Sequence, residues 1–378
     1  MHQNSFKPHK RILMGPGPSN VHPKVLDAMS KAPLGHLDPQ FIELMDEIKS
    51  LLKYTFKTKN DSTFVLSGPG SLGMEACLVN LVEPGDKVVV CVGGYFANRM
   101  TQIVEKIGGK VVVAKETWGR ATEPAKLEEA LKANPETKVV AFVHAETSTG
   151  ALSNIKQLSE IAHKHNCLVI ADTVTSLGAT DVYVDDWNLD AVYSCSQKGL
   201  ACVAGMSPIT FSERAVQHIK NRKTPIQSWF NDLNLLNVYW SGAKRIYHHT
   251  APSNQFYGLH EALLILKEEG IENAWRRHKE NSAKFISKLK QLGLDPFVPE
   301  GERIPNLITV KIPSGIDEAN PPAGEAGVRS ELLNKYNLEI GAGLGELAGK
   351  IWRIGLMGYN SNEKMIDYCI GALKDVLK

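Results

Sequence analysis

Long apolar runs are missing from this 378-residue chain. None approaches the ~20 residues that span a bilayer, so a membrane-spanning reading has no support. A surplus of one charge is missing as well. Lys plus Arg number 43 and Asp plus Glu 41, a formal net charge of +2. That balance gives no support to nucleic-acid or membrane-surface binding. Cysteine is scarce: Cys77, Cys91, Cys167, Cys195, Cys202 and Cys369 are dispersed, with no C-x-x-C pair. Most sit in apolar stretches and read as reduced core thiols of an intracellular protein, not as a disulfide framework. Residues 1–10 hold no apolar signal core, and the last residues are not an S-K-L address, so a cytoplasmic location is expected. No internal repeat or low-complexity segment is visible.

What is present is a rhythm. Short β-branched runs at 63–66, 87–92, 110–113, 138–144, 167–171 and 190–193 alternate with helix-length segments at 73–81, 96–107, 123–133 and 155–165. The runs Val139-Val140-Ala141-Phe142-Val143 and Leu168-Val169-Ile170-Ala171 are apolar without alternation. Strands buried on both faces have that pattern, and they belong to parallel sheets covered by helices. An open α/β fold with a mainly parallel central sheet is therefore expected. The C-terminal third changes character. A long helical pattern over 256–292, broken near Gly270, precedes strand-like runs at 306–312, 338–341 and 350–356 and a last helix over 362–377. This predicts a smaller α+β domain at 256–378, a large domain at 21–255 and an N-terminal segment at 1–20. Asn320-Pro321-Pro322-Ala323-Gly324 reads as an exposed loop.

Asp172 ends one apolar run and Lys198 follows the next. Open α/β sheets bind ligands at that carboxyl edge. Alone, Asp172 reads equally well as a cap or loop acid, and Lys198 as a surface lysine with a buried stem. Together they form the minimal pair of a pyridoxal phosphate site, a lysine for the aldehyde and a carboxylate for the ring nitrogen. Ser67-Gly68-Pro69-Gly70-Ser71-Leu72-Gly73 offers a phosphate-binding turn between strand and helix. It also spells G-x-G-x-x-G, so a nicotinamide dehydrogenase is a rival reading. The strand that follows ends in Gly93-Gly94, without the acid that a dinucleotide ribose requires. Phe96 beside that edge suits stacking on a ring, or simply a helix core. Arg353 lies inside the apolar run Ile351-Trp352-Arg353-Ile354. It needs an anionic partner, either a structural acid or a substrate carboxylate.

In these stretches the chain resembles the class V aminotransferases of the pyridoxal-phosphate fold-type I group, in particular the alanine–glyoxylate and serine–pyruvate aminotransferases. Met14-Gly15-Pro16-Gly17-Pro18-Ser19, the loop at 67–71, His144-Ala145-Glu146-Thr147-Ser148-Thr149-Gly150, Asp172-Thr173-Val174-Thr175-Ser176-Leu177-Gly178, Ser196-Gln197-Lys198, Tyr247-His248-His249-Thr250 and Trp352-Arg353-Ile354-Gly355 carry the resemblance in order. It implies pyridoxal 5'-phosphate as cofactor, with Lys198 as the Schiff-base lysine and Asp172 as partner of the ring nitrogen. Val174 and Phe96 would flank the ring, although close relatives often carry Trp at the Phe96 position. Gly70, Ser71 and Gln197 would hold the phosphate and Thr147 the phenolic side, and Pro69 would also meet the cofactor. Arg353, Gly17 and His36 would meet the substrate. Tyr247 and Thr250 would reach the cofactor phosphate of a second subunit, which implies a homodimer. The reaction implied is ping-pong transfer from alanine, or serine, to glyoxylate. A ureidoglycine–glyoxylate aminotransferase is the alternative, although those relatives tend to carry an amide where His36 stands. A cysteine desulfurase on the same fold would place His where Phe96 and Gln197 stand. His248 and His249 are adjacent and point apart, so no metal site is expected.

Overall fold

The computed structural model describes residues 5–241, 245–313, 316 and 324–378. Its centre is a seven-stranded sheet. In spatial order the strands are Ser62–Leu66, Ser207–Phe211, Ala191–Tyr193, Leu168–Asp172, Thr137–Val143, Lys87–Val92 and Lys110–Lys115. All neighbours run parallel except Ser207–Phe211, which is antiparallel to both of its partners. Most central strands are buried along their whole length, as their unbroken apolar runs predict. Helices Gly70–Leu81, Tyr95–Lys106, Pro124–Ala133 and Ile155–Lys164 connect the parallel strands.

Ser207–Phe211 falls outside the expected runs. Pro208 inside it argues against an interior strand, since proline lacks a donor. Its carbonyl is nevertheless used, accepting from the Ser194 amide at 2.8 Å.

A smaller antiparallel sheet joins Gly341–Ala342, Ile351–Gly355 and Leu307–Lys311. Helices Ile271–Gln291, Gly324–Tyr336 and Glu363–Val376 accompany it, and Phe285, Val310, Val328, Trp352 and Leu373 share its core. Ser253–Glu269 instead packs on Pro23–Met29 and Pro39–Phe56, and Phe256, Leu259 and Ala274 belong to the large core. The change of core thus falls inside the helix Ile271–Gln291, beyond the position 255 suggested by composition. Gly270, at φ +82°, separates the two long helices, as its break in the helical pattern predicts.

The N-terminal segment is tied to the smaller unit. Ile12–Leu13 pairs in parallel with Leu338–Glu339, and the Gly355 amide donates to the Met14 carbonyl at 2.7 Å. The chain then runs towards the central sheet edge. Most of the loop expected at 320–324 lies outside the described residues. Among the described residues no helix is long and apolar enough to cross a membrane.

Candidate active site

Asp172 and Tyr193 are register partners at the carboxyl ends of two parallel strands. The chain leaves Tyr193 into the loop that carries Gln197 and Lys198. Parallel pairing therefore delivers Asp172 and Lys198 to one edge, and both line a cavity of about 250 Å³. The helix Gly70–Leu81 aims its start at the same cavity. Its cap residue Pro69 supplies no side-chain hydrogen bond, and the Leu72 amide donates to the Pro69 carbonyl at 2.7 Å, which leaves the Gly70 and Ser71 amides for a ligand. A Cβ on Gly70 would sit 3.0 Å from the Cys195 Cβ and 3.2 Å from the Val174 Cγ2. Close approach of this helix to the sheet edge thus favours glycine. Helix Tyr95–Lys106 brings Phe96 to the wall. Gly17 closes the cavity from the N-terminal segment. At φ +104° it lies where a Cβ would meet the Lys198 Cγ at 2.9 Å, so a side chain there is doubly disfavoured. The smaller sheet contributes Arg353. Pro69, Ser71, Thr147, Val174 and Gln197, also expected, line this cavity as well.

The charges are arranged without mutual ion pairs. Lys198 Nζ donates to Thr147 Oγ1 at 2.7 Å and to Thr175 Oγ1 at 3.1 Å. Burial brings its ammonium down to about 8, so a neutral amine is accessible near physiological pH. Asp172 accepts from the Tyr193 hydroxyl at 2.6 Å and the Val174 amide at 2.7 Å. Burial raises its carboxyl to about 6, and those two hydrogen bonds oppose the rise. Arg353 is buried, and desolvation lowers it to about 10. It donates to the carbonyls of Ala342 at 2.6 Å and Thr147 at 3.2 Å. It forms no ion pair with a carboxylate of the described residues, so the structural-acid explanation of this arginine has no partner here. Thr147 thus touches the lysine through its hydroxyl and the arginine through its carbonyl.

Three expected residues lie apart. His36 packs its ring on Tyr247, centroids 4.8 Å apart, and neither lines the cavity of its own chain. Tyr247 is 53% exposed, and its hydroxyl lies 3.2 Å from that of Thr250. The same segment touches the phosphate-loop candidate, because His249 Nε2 is 2.9 Å from Ser67 Oγ. The cavity also includes residues that the motifs left unassigned: Tyr193, Arg99, Met74 and Leu344. Tyr193 had a legible signal, as the last residue of the strand before the lysine loop. Arg99 lies one helical turn beyond Phe96, a spacing that puts both on one face. His248 and His249 do not point apart as expected, since their Nδ1 atoms lie 2.8 Å from each other, but among the described residues no three His, Cys, Asp or Glu side chains converge as a metal site. A wider cleft of about 520 Å³ near Lys31, Glu47 and His260 holds no buried titratable group, so its size alone assigns it no chemistry.

The residues present suit pyridoxal phosphate. A buried amine faces a buried carboxylate, and open helix-start amides stand to one side. Such a site on a mainly parallel sheet with a smaller C-terminal unit defines a fold-type I pyridoxal-phosphate transferase. Comparison narrows this further: the chain belongs to the class V aminotransferases, whose family model matches residues 12–363. It is 39% identical to the alanine–glyoxylate aminotransferase of Drosophila melanogaster over 372 residues, 97% of this chain and 92% of that one. Among solved structures, an alanine–glyoxylate aminotransferase from Nostoc sp. superposes with a TM-score of 0.96 at 45% identity, covering 100% of this chain and 98% of that one. The ureidoglycine–glyoxylate aminotransferase of Bacillus subtilis superposes at 0.94 with 35% identity, covering 99% and 94%. The protein is thus a pyridoxal-phosphate-dependent aminotransferase, and the family match gives no support to the nicotinamide reading.

Proposed function

We propose that this aminotransferase moves the amino group of a small L-amino acid, alanine first and serine second, to glyoxylate. The products are glycine and the corresponding 2-oxo acid. The observation that carries this reading is the joint placement of Lys198 and Arg353. A buried guanidinium without a carboxylate partner suits an α-carboxylate. A neutral amine on the other side of Thr147 suits proton transfer at the neighbouring Cα. The names of the relatives support glyoxylate as acceptor.

In this proposal Gly70, Ser71 and Gln197 hold the cofactor phosphate, Pro69 lies against the cofactor, Val174 and Phe96 flank the ring, and Thr147 meets its phenolic side. When bound, pyridoxal phosphate supplies an aldehyde for amines and a ring that withdraws electron density from Cα. Lys198 Nζ takes the proton from the substrate Cα and later returns one, acting first as general base and then as general acid. Asp172, oriented by Tyr193 and Val174, presents negative charge to the ring nitrogen and so favours its protonated form. Arg353 fixes the carboxylate of donor and acceptor alike, and Gly17 leaves space above the lysine stem. Arg353→Gln is expected to raise the apparent KM for both amino acid and keto acid by about 10- to 100-fold, with a smaller change in kcat. Unchanged KM for both would remove Arg353 from the substrate site.

The working unit we propose is a homodimer. Trp229, Ile246 and Tyr247 are 65%, 64% and 53% exposed, an apolar surface that invites a partner. Tyr247 and Thr250 would then meet the partner's cofactor phosphate, and His36, packed on Tyr247, would travel to that same site. Sedimentation should give twice the 41.6 kDa chain mass; a monomer at micromolar concentration would contradict this. Ureidoglycine is the competing donor. Rates of glycine formation from glyoxylate with alanine, serine or ureidoglycine test the donor assignment. It stands if alanine leads and falls if ureidoglycine does.

A further inference from the structure

The phosphate end of the proposed site has little visible positive charge. A helix start offers roughly half an elementary charge, whereas a bound phosphate monoester carries close to two negative charges. Ser71 and Gln197 are neutral. Four ionisable side chains that line the cavity carry charge at neutral pH: Arg99, Asp172, Lys198 and Arg353. Lys198 is turned to Thr147 and Thr175. Arg353 is turned to the Ala342 and Thr147 carbonyls. Arg99 is the cation on the phosphate side, because its Nη1 donates to Ser71 Oγ at 3.0 Å.

Its placement is built by the helix Tyr95–Lys106. Glu146, buried, accepts from the Phe96 amide at 3.3 Å and the Ala97 amide at 3.1 Å, which pins the helix start. Arg99 follows Tyr95 by four residues and Phe96 by three, so all three share a face. The guanidinium carbon lies 5.0 Å from the Phe96 ring centroid and 5.6 Å from that of Tyr95. Cation–π contact with the two rings steadies the guanidinium and leaves most of its five donors free. Arg99 is half-buried and forms no ion pair with a carboxylate of the described residues. A half-buried cation held by rings and one hydroxyl, with donors to spare, is suited to a multiply charged anion.

We propose that Arg99 is the charge partner of the cofactor phosphate, binding it alongside Ser71 while bracing the Phe96 ring. This rests on the reading that pyridoxal phosphate occupies the Lys198 cavity. The same arginine then couples two jobs, anion binding and support of the stacking wall, and a comparison of ligands separates them.

The test uses cofactor-free full-length protein and equilibrium binding. Affinity is measured for pyridoxal 5'-phosphate, for pyridoxal without the phosphate, and for inorganic phosphate as a competitor. Arg99→Gln is expected to weaken pyridoxal phosphate and inorganic phosphate by about 10- to 100-fold, and to leave pyridoxal within about threefold. Retained pyridoxal binding also shows that the variant is folded. Arg99→Lys keeps a charge and a long stem and should retain part of the phosphate-dependent affinity. Equal losses for pyridoxal phosphate and pyridoxal would overturn the proposal and leave Arg99 only a brace for Phe96. Unchanged affinities would overturn it outright. Lys198→Ala separates the two levels. If it weakens pyridoxal phosphate while Arg99→Gln does not, the Arg99 assignment alone fails. If neither does, the cavity assignment fails with it.

Discussion

Lys198→Ala is expected to lower transamination by roughly 10⁴-fold, since the variant loses the group we propose shuttles the Cα proton. The cofactor-free protein should gain stability when this amine is removed. Burial lowers the Lys198 ammonium from its ordinary 10.5 to about 8. The folded chain therefore binds fewer protons than the unfolded chain between those values, and stability rises with pH across that window. Below pH 8 the protein carries the full cost. Lys198→Met, which fills the space with an uncharged stem, is expected to stabilise cofactor-free protein at pH 7 by on the order of 3 kcal/mol. The gain should shrink to under about 1 kcal/mol at pH 10. Urea unfolding at the two pH values reads this directly. A variant that keeps near-parental turnover, or a stability gain that does not change with pH, would contradict the assignment. Capture of added cofactor by the parent protein should likewise speed up as pH rises through about 8, because only the neutral amine attacks an aldehyde.

Asp172→Asn is expected to cost about 10²- to 10³-fold in turnover, the size seen when one preorganised electrostatic group is lost. The amide keeps the shape and loses the charge that we propose favours a protonated ring nitrogen. In the parent, burial raises the Asp172 carboxyl to about 6. As pH falls through that value the carboxylate is neutralised, and cofactor affinity should fall with it. Asp172→Asn should bind the cofactor more weakly at pH 7.5 and lack that acid-side step. An unchanged affinity profile between pH 5 and 7.5 would assign Asp172 a purely structural role. Tyr193 belongs to the same account, since its 2.6 Å hydrogen bond leaves Asp172 more acidic than burial alone would.

The central sheet was legible because strands buried on both faces leave apolar runs, and the helices between them leave a helical period. Asp172 and Lys198 followed from those runs, Asp172 at the end of one strand and Lys198 in the loop that follows the next. Ser207–Phe211 was hidden by Pro208, and its place between two other strands depends on pairing that no local pattern encodes. The helix Ser253–Glu269 carries a clear period, but the period does not say which core it faces. The structure packs it against the opening helices. Arg353 was visible as a charge inside an apolar strand. Arg99 was not, because an arginine on an amphipathic helix is ordinary. Its meaning comes from Ser71, which is 28 residues away in sequence and 3.0 Å away in space. Tyr247, Thr250 and His36 were singled out by motif, and within one chain they stand outside the cavity. In the proposed homodimer a second copy would give them the role that the resemblance implies.

The central claim is that one cavity takes an amino group from a small amino acid and gives it to glyoxylate. Its most direct test is the absorbance spectrum of the purified, cofactor-loaded protein during single additions of substrate. L-alanine should bleach the visible band with release of one equivalent of pyruvate, and glyoxylate should restore the band with release of glycine. A visible band that ignores both alanine and serine, or no visible band after loading with pyridoxal phosphate, would contradict it.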